Sequence, residues 1–304
     1  MSKIYTFPKS MRDLGLVPAS ELQKVRRLMI GTDGWTNTGK TEFALSAPGP
    51  KVIIPIDCSY DSILDNPYPP KSRRLDDATF DDIKIPMNHT LKQEQYKEYF
   101  VAFRKRLYVL LEVPEIRTII IDGDSDSYEL QLLAEYGRTS QIHPMQYPLS
   151  DGPRRAMVKR CWESKKIIIA TSKLKDKYEN SIDEATGKPL LDDKGKNVQH
   201  RVPGEYKRQG FRDQDYLWQI QIRHLYKPPE PIDLSAMKPL DRLRAAREGK
   251  NKTEPQWGLR IMKCKSNTRL EGDELWGDDC NFKSLVQYIY PQVPLTEWGF
   301  DRNG

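Results

Sequence analysis

The chain has 304 residues, 30% of them charged, with 49 Lys and Arg against 43 Asp and Glu for a net charge of +6. That length can bury a full core, as one large domain or two, while a mean hydropathy of −0.72 and the lack of any apolar run near about 20 residues exclude a membrane-spanning helix. Cys58, Cys161, Cys264 and Cys280 form no C-x-x-C pair, and His89, His143, His200 and His224 show no metal-ligand spacing, which excludes a structural zinc and points to reduced thiols in a cytoplasmic protein.

Residues 1–26 read as a polar N-terminal segment, with a short helix near residues 20–27 and without the apolar core of a signal peptide. Residues 27–31 are a short apolar run suited to a buried strand. The run leads into Gly34-Trp35-Thr36-Asn37-Thr38-Gly39-Lys40-Thr41, a complete G-x-x-x-x-G-K-[ST] phosphate-binding loop. Gly34 and Gly39 permit the turn and the close backbone approach that a Cβ would block. The loop's amide N–H groups can then surround phosphate oxygens, with the positive end of the following helix behind them. Lys40 is expected to reach the β- and γ-phosphates and the Thr41 hydroxyl to hold Mg²⁺. Residues 41–45 read as helix onset, stopped by Pro48-Gly49-Pro50.

A second buried strand is expected over residues 51–57, ending in Asp57, followed by an Asp- and Pro-rich surface excursion over residues 61–90. Tyr96, Tyr99, Phe100, Phe103, Leu107, Leu110 and Leu111 recur at three- and four-residue steps and predict a long amphipathic helix whose stripe is core. Residues 117–122 form a β-branched run closing on Asp122. A strand buried on both faces needs such continuity, and its carboxyl end would carry Asp122 toward Mg²⁺; Asp124 and Asp126 are the alternatives. Residues 166–173 form a further strand, on which Thr171 or Ser172 would face the γ-phosphate, or merely cap the strand.

Between Pro153 and Lys177 stand nine basic residues, Arg154, Arg155, Lys159, Arg160, Lys165, Lys166, Lys173, Lys175 and Lys177, against two acidic ones, for a local net charge of +7. Concentration of that kind suits a polyanion, although a solvated helix face plus a basic loop would look the same. Residues 173–210 carry two Gly-containing turns between short arms and read as a projecting hairpin or loop. Residues 216–223 and 257–265 alternate as strands, residues 228–255 are a basic surface insertion, residues 282–289 a closing helix, and residues 291–304 a tail.

The order of phosphate loop, strand ending in acid, strand ending in Asp122, and strand ending Thr-Ser before a long loop resembles a RecA-type ATPase core. More narrowly it resembles the phage-encoded AAA/RecA-like proteins of single-strand annealing and homologous recombination, over roughly residues 28–290. The resemblance implies an α/β fold with a mostly parallel sheet flanked by helices, ATP with Mg²⁺ as cofactors, and a homo-oligomeric ring or filament. It also implies two loops facing single-stranded DNA, here about residues 137–155 and 173–210, which bracket Arg154, Arg155, Lys159, Lys173, Lys175 and Lys177. A single-strand-binding protein is a possible further partner. A basic residue from the neighbouring subunit completes the ATP site in such assemblies, and Lys263, Lys265 and Arg269 match that role.

One position departs from the pattern. RecA-type enzymes place a water-activating glutamate just past the second strand, and here Asp57 or Asp61 would have to substitute. Two other function classes therefore stay open: a nucleotide-gated replication, packaging or defence factor with little turnover, and a small-molecule or nucleotide kinase whose lid is the 173–210 loop.

Overall fold

The computed structural model describes residues 27–56, 75–82, 91–140, 142, 147–183, 188–192, 197–211, 213–229 and 254–300. Its strands are β1 (Leu28–Gly34), β2 (Lys51–Pro55), β3 (Ala78–Phe80), β4 (Thr118–Asp122), β5 (Ile167–Asn180), β6 (Gln199–Arg208), β7 (Ile220–Lys227), β8 (Gln256–Cys264) and β9 (Glu274–Trp276). They form one sheet in the order β3-β2-β4-β5-β1-β7-β8-β9, with β6 paired only to β5. The strands from β3 through β7 in that order run parallel, while β8 is antiparallel to both β7 and β9. The expected α/β class with a mostly parallel sheet is what the chain adopts.

Continuous apolar runs are explained by cover on both faces. On one face, α1 (Lys40–Leu45), α6 (Phe282–Ile289) and α7 (Leu295–Trp298) bury Leu28, Ile30, Ile120, Ile167, Ile169, Ile220 and Ile222. On the other, α2 (Gln93–Glu112), α3 (Asp124–Tyr136) and α4 (Tyr147–Glu163) bury Met29, Ile119, Ile121, Ile168 and Ala170. Residues alternate between these two cores along each strand, as the pleat requires. Helix α2 presents Tyr96, Phe100, Phe103, Leu107 and Leu111 to its core, the stripe that its periodicity predicts.

The hairpin over residues 173–210 is present and its origin matters. Strand β5 lies beside β1 with Ser172 opposite Asp33 and Lys173 opposite Gly34. Beyond that point β5 leaves the sheet and pairs with β6, from Leu174 opposite Arg208 to Asn180 opposite Gln199. The hairpin therefore rises from the sheet edge that carries the glycine loop.

Four expectations are corrected. Within the stretch read as a surface excursion, Ala78–Phe80 is an edge strand parallel to β2, with Phe80 packed against the core. The second half of the supposed DNA-facing loop at 137–155 belongs to α4, which starts at Tyr147. The strand expected over 216–223 begins only at Ile220, because Gln214–Leu217 makes a helical turn, α5. That turn is fixed by buried Trp218 and by Gln219, whose side chain and backbone both bond to Met29. Finally, residues 291–300 are no loose tail, since Val293, Trp298 and Phe300 are buried in the first core. Residues 1–26 and most of the 228–255 insertion lie outside the described residues.

Candidate functional site

Strand β1 ends at Gly34, and the chain turns back over the sheet edge before α1 begins at Lys40. A Cβ on Gly34 would fall 2.5 Å from Thr38 Oγ1 and 3.0 Å from His224 Cβ, so only glycine fits there. Asn37 at φ 62 and Gly39 at φ 90 supply the left-handed steps that close the loop. The Thr38 hydroxyl donates to the Trp35 carbonyl at 2.8 Å and pins the turn from inside. Lys40 Nζ folds back on the loop, donating to the Gly34 carbonyl at 3.0 Å and to that of Trp35 at 2.7 Å. Trp35, Thr36 and Asn37 form its exposed outer rim.

The acid predicted from the β-branched run lies against this loop. Asp122 is 1% exposed at the end of β4. Thr41 Oγ1 donates toward both of its oxygens at 3.2 Å, and Thr171 Oγ1 donates to Oδ1 at 2.7 Å. The Gly123 amide in turn donates to Thr171 Oγ1 at 2.9 Å, so the hydroxyl is fixed from both sides. Of the two polar residues at the turn of β5, it is Thr171 that meets Asp122. Ser172 sits one residue on, facing the opposite side of the sheet. The alternative acids are engaged elsewhere: Asp124 pairs with Arg154, and Asp126 accepts from Lys173 Nζ at 2.7 Å.

Asp122 and Thr41 offer hard oxygen donors, the chemistry Mg²⁺ prefers. Among the described residues no group of three or more His, Cys, Asp or Glu side chains is arranged to hold a metal. Mg²⁺ does not need one, because it is commonly held by one or two protein oxygens with phosphates and water completing its shell. The donor set fits that ion.

Three neighbours were not singled out in the sequence. His224 lies on β7 beneath the loop, 2% exposed and edge-on to Phe43 at 5.6 Å. Burial, and then the charge of Lys40, pushes its pKa from 6.5 down to about 3, so the ring is neutral. The period-two pattern of Ile220, Ile222 and His224 was the available signal for its burial. Asp33, at the level where the loop departs, accepts from Arg223 Nε at 2.8 Å and lies 3.6 Å from Arg208 Nε. Trp257 Nε1 donates to the Asn37 carbonyl at 3.3 Å from the far strand β8. No spacing in the chain announces either of these long-range contacts.

The remaining predicted residues are scattered. Asp57, like Asp61, lies outside the described residues. Lys263 and Lys265 lie near the end of β8 that pairs with the start of β7, level with the middle of β1, and not at the loop edge. Lys263 Nζ stands 5.1 Å over the Tyr216 ring, and Lys265 Nζ donates to the Tyr216 carbonyl at 2.5 Å, both turned away from this chain's own loop. Arg269 sits in the 3-10 turn just after β8.

The basic cluster does not form one field. Arg154 is fully buried, bonded to Asp124 and to Ser127 Oγ at 2.8 Å, so it ties α4 to the start of α3 and faces no solvent. Arg155 pairs with Asp213, Arg160 with Glu112 at 2.9 Å, and Lys177 with Glu179 and Glu205. Lys166 caps the Val113 and Ile116 carbonyls at the opposite edge of the sheet. Lys159 is exposed on α4. On the hairpin Lys175 stands directly opposite Lys207, and partial desolvation of its ammonium followed by that like charge lowers its pKa, with Glu129 opposing the shift. The hairpin touches the loop through Trp35, whose ring meets Tyr206 edge-on at 5.1 Å.

No protein-family model matches this chain, and no curated protein does. Among solved structures it is similar to the KaiC-like protein PH0186 from the hyperthermophilic archaeon Pyrococcus horikoshii OT3, at 11% identity and a TM-score of 0.42, over 83% of this chain and 87% of that one. At that identity and overlap the neighbour says nothing of what this chain binds. Among the described residues no helix is long and apolar enough to cross a membrane. What the local geometry itself shows is a glycine-rich loop with Lys40 folded back on it, and Thr41 and Thr171 meeting buried Asp122 at the same sheet edge.

Proposed function

We propose that this chain is an ATP-binding, RecA-like P-loop ATPase that acts on single-stranded DNA as a homo-oligomer. The observation that carries the nucleotide part is the convergence of Thr41 and Thr171 on buried Asp122 beside Lys40. Bound Mg·ATP would supply the scissile phosphoanhydride and a divalent charge. Lys40 would exchange the Gly34 and Trp35 carbonyls for phosphate oxygens, while Asp122 and the Thr41 hydroxyl orient the ion. Thr171, already fixed on Asp122 by the Gly123 amide, would keep that carboxylate from rotating as the γ-phosphate leaves. The position of β5 between β1 and β4 supports the RecA-like reading, because it inserts the Thr171 strand between loop and acid.

The DNA part is supported by the hairpin. Lys175 and Lys207 face each other on a β-ladder, a like-charge pair that Glu129 offsets in part and that a bound polyanion would offset further. Tyr178 is exposed two residues further along the ladder from Asp176, and Trp35 lies at the hairpin base. Cations interleaved with exposed aromatic rings suit a single strand, whose phosphates and bases are bound together. Lys263 and Lys265 would serve a neighbouring copy in a ring or filament, the role that the resemblance to annealing and recombination proteins implies, and their contacts to Tyr216, away from their own loop, support that reading.

One observation favours a slow-turnover version of this reading. Asp124 and Asp126, the acids next to the site, are held by Arg154 and Lys173 and are poorly placed to accept a proton from water. The test is ATP hydrolysis by the full chain with and without a single-stranded oligonucleotide, together with oligonucleotide binding across a salt series. The proposal expects DNA-stimulated hydrolysis and a negative slope of log affinity against log salt. Salt-independent affinity and unstimulated phosphate transfer to a small acceptor would instead identify a kinase.

A further inference from the structure

We infer that Trp257, with Tyr226 beside it, is the stacking platform for the nucleobase of the triphosphate held by residues 34–41. The inference rests on the nucleotide reading of that loop and adds where the base lies. Asp122 and Thr171 stand on β4 and β5, which lie on one side of β1, so the metal and γ-phosphate end of the ligand is fixed on that side. The ribose and base must then leave across the other side, over β7 and β8. Two strand spacings of about 4.8 Å separate β1 from β8.

That ground carries two large exposed rings. Tyr226 and Trp257 are direct cross-strand partners on β7 and β8, 46% and 43% exposed, with ring centroids 5.9 Å apart at 51°. Both continue the period-two faces of β7 and β8 whose lower members, Ile222 and His224 on β7 and Ile261 and Leu259 on β8, lie on the α1 side. They therefore stand on the same side of the sheet as the glycine loop. The indole is held against that loop: its N–H donates to the Asn37 carbonyl, and a Cβ on Gly39 would lie 3.8 Å from its Cδ1. Trp35, on the opposite flank, already spends its edge contact on Tyr206 of the hairpin. An indole anchored by its N–H keeps a fixed plane, and at 43% exposure it leaves surface on which a purine could stack. Stacking reads the extent of the π-face, so the platform suits purine over pyrimidine nucleoside triphosphates.

The test is calorimetric titration of the full chain and its Trp257→Ala and Trp257→Phe variants with Mg·ATP and with Mg·tripolyphosphate, which has no base. The expected result is a weakening of Mg·ATP binding by about 5- to 100-fold in Trp257→Ala. Tripolyphosphate affinity should stay within about twofold, and Trp257→Phe, which keeps a ring but loses the N–H anchor, should recover part of the ATP affinity. Unchanged ATP binding by Trp257→Ala would overturn the inference. Equal losses for ATP and tripolyphosphate would also overturn it, by showing that Trp257 only props the loop through Asn37. If the unmodified chain bound neither ligand, the loop reading itself would fall and the platform with it.

Discussion

Replacement of Thr171 by valine probes the joint on which the site is built. The Thr171 hydroxyl is 2% exposed as a residue, accepts from the Gly123 amide at 2.9 Å and donates to Asp122 Oδ1 at 2.7 Å. Valine keeps the volume and removes both bonds. Loss of the bond to the carboxylate costs about 1.5–3 kcal/mol, and leaving the Gly123 N–H buried without a partner costs about 1–3 kcal/mol. Part of this, about 1–2 kcal/mol, is recovered because a hydroxyl no longer has to be desolvated. The net expectation is a destabilisation of about 2–4 kcal/mol, or roughly 3–6 °C in Tm for a chain of 304 residues. Serine keeps both bonds and loses only a methyl group, about 1 kcal/mol. Thermal unfolding of the two variants beside the parent protein separates them. If Thr171→Val melted no lower than Thr171→Ser, the hydroxyl would not be holding Asp122, and the geometry assigned to the acid would be wrong.

Other outcomes follow from the same geometry. His224 is held neutral with its pKa near 3, well below the 6.5 of an unfolded histidine. The unfolded chain therefore takes up a proton as pH falls below 6.5 and the folded one does not, so stability is lost on acidification through that window, by up to about 2 kcal/mol between pH 6.5 and 5. Urea unfolding at pH 7 and pH 5 should show His224→Phe less sensitive to pH than the parent, and equal slopes would refute the assignment. Gly34→Ala should fold but lose Mg·ATP binding by calorimetry, because its methyl group would overlap Thr38 Oγ1; undiminished binding would mean the loop relaxes freely. Arg154→Ala should destabilise by about 3–5 kcal/mol in urea unfolding by stranding buried Asp124, whereas Lys175→Ala with Lys207→Ala should not lower stability, since it removes a like-charge pair, and should flatten the salt slope of oligonucleotide binding by about 1.4.

Much of this arrangement was legible because the physics is local. The loop's glycines, the run ending in Asp122 and the stripe of α2 each follow from sterics or from burial on a repeating face, and each lies where its pattern predicts. The basic cluster was legible as charge but not as geometry. Arg154 and Lys175 look alike in the chain, yet one is buried against Asp124 and the other faces Lys207 on the hairpin. Pairing across some 30 residues depends on tertiary packing that no spacing encodes. Helix α3 escaped notice for a related reason: Asp124, Ser125, Asp126 and Ser127 are buried polar residues, so its first turn shows no apolar stripe. Trp257 and Asn37 meet across 220 positions, which only the fold can bring together.

The central claim is that residues 34–41 with Asp122 bind a nucleoside triphosphate through Lys40. The most direct measurement is calorimetric titration of Mg·ATP into the full chain and into Lys40→Ala, with folding checked by circular dichroism. Saturable binding by the parent, weakened about 30-fold or more in the variant, is the predicted result. Equal affinity in the two, or no binding by the parent, would contradict it.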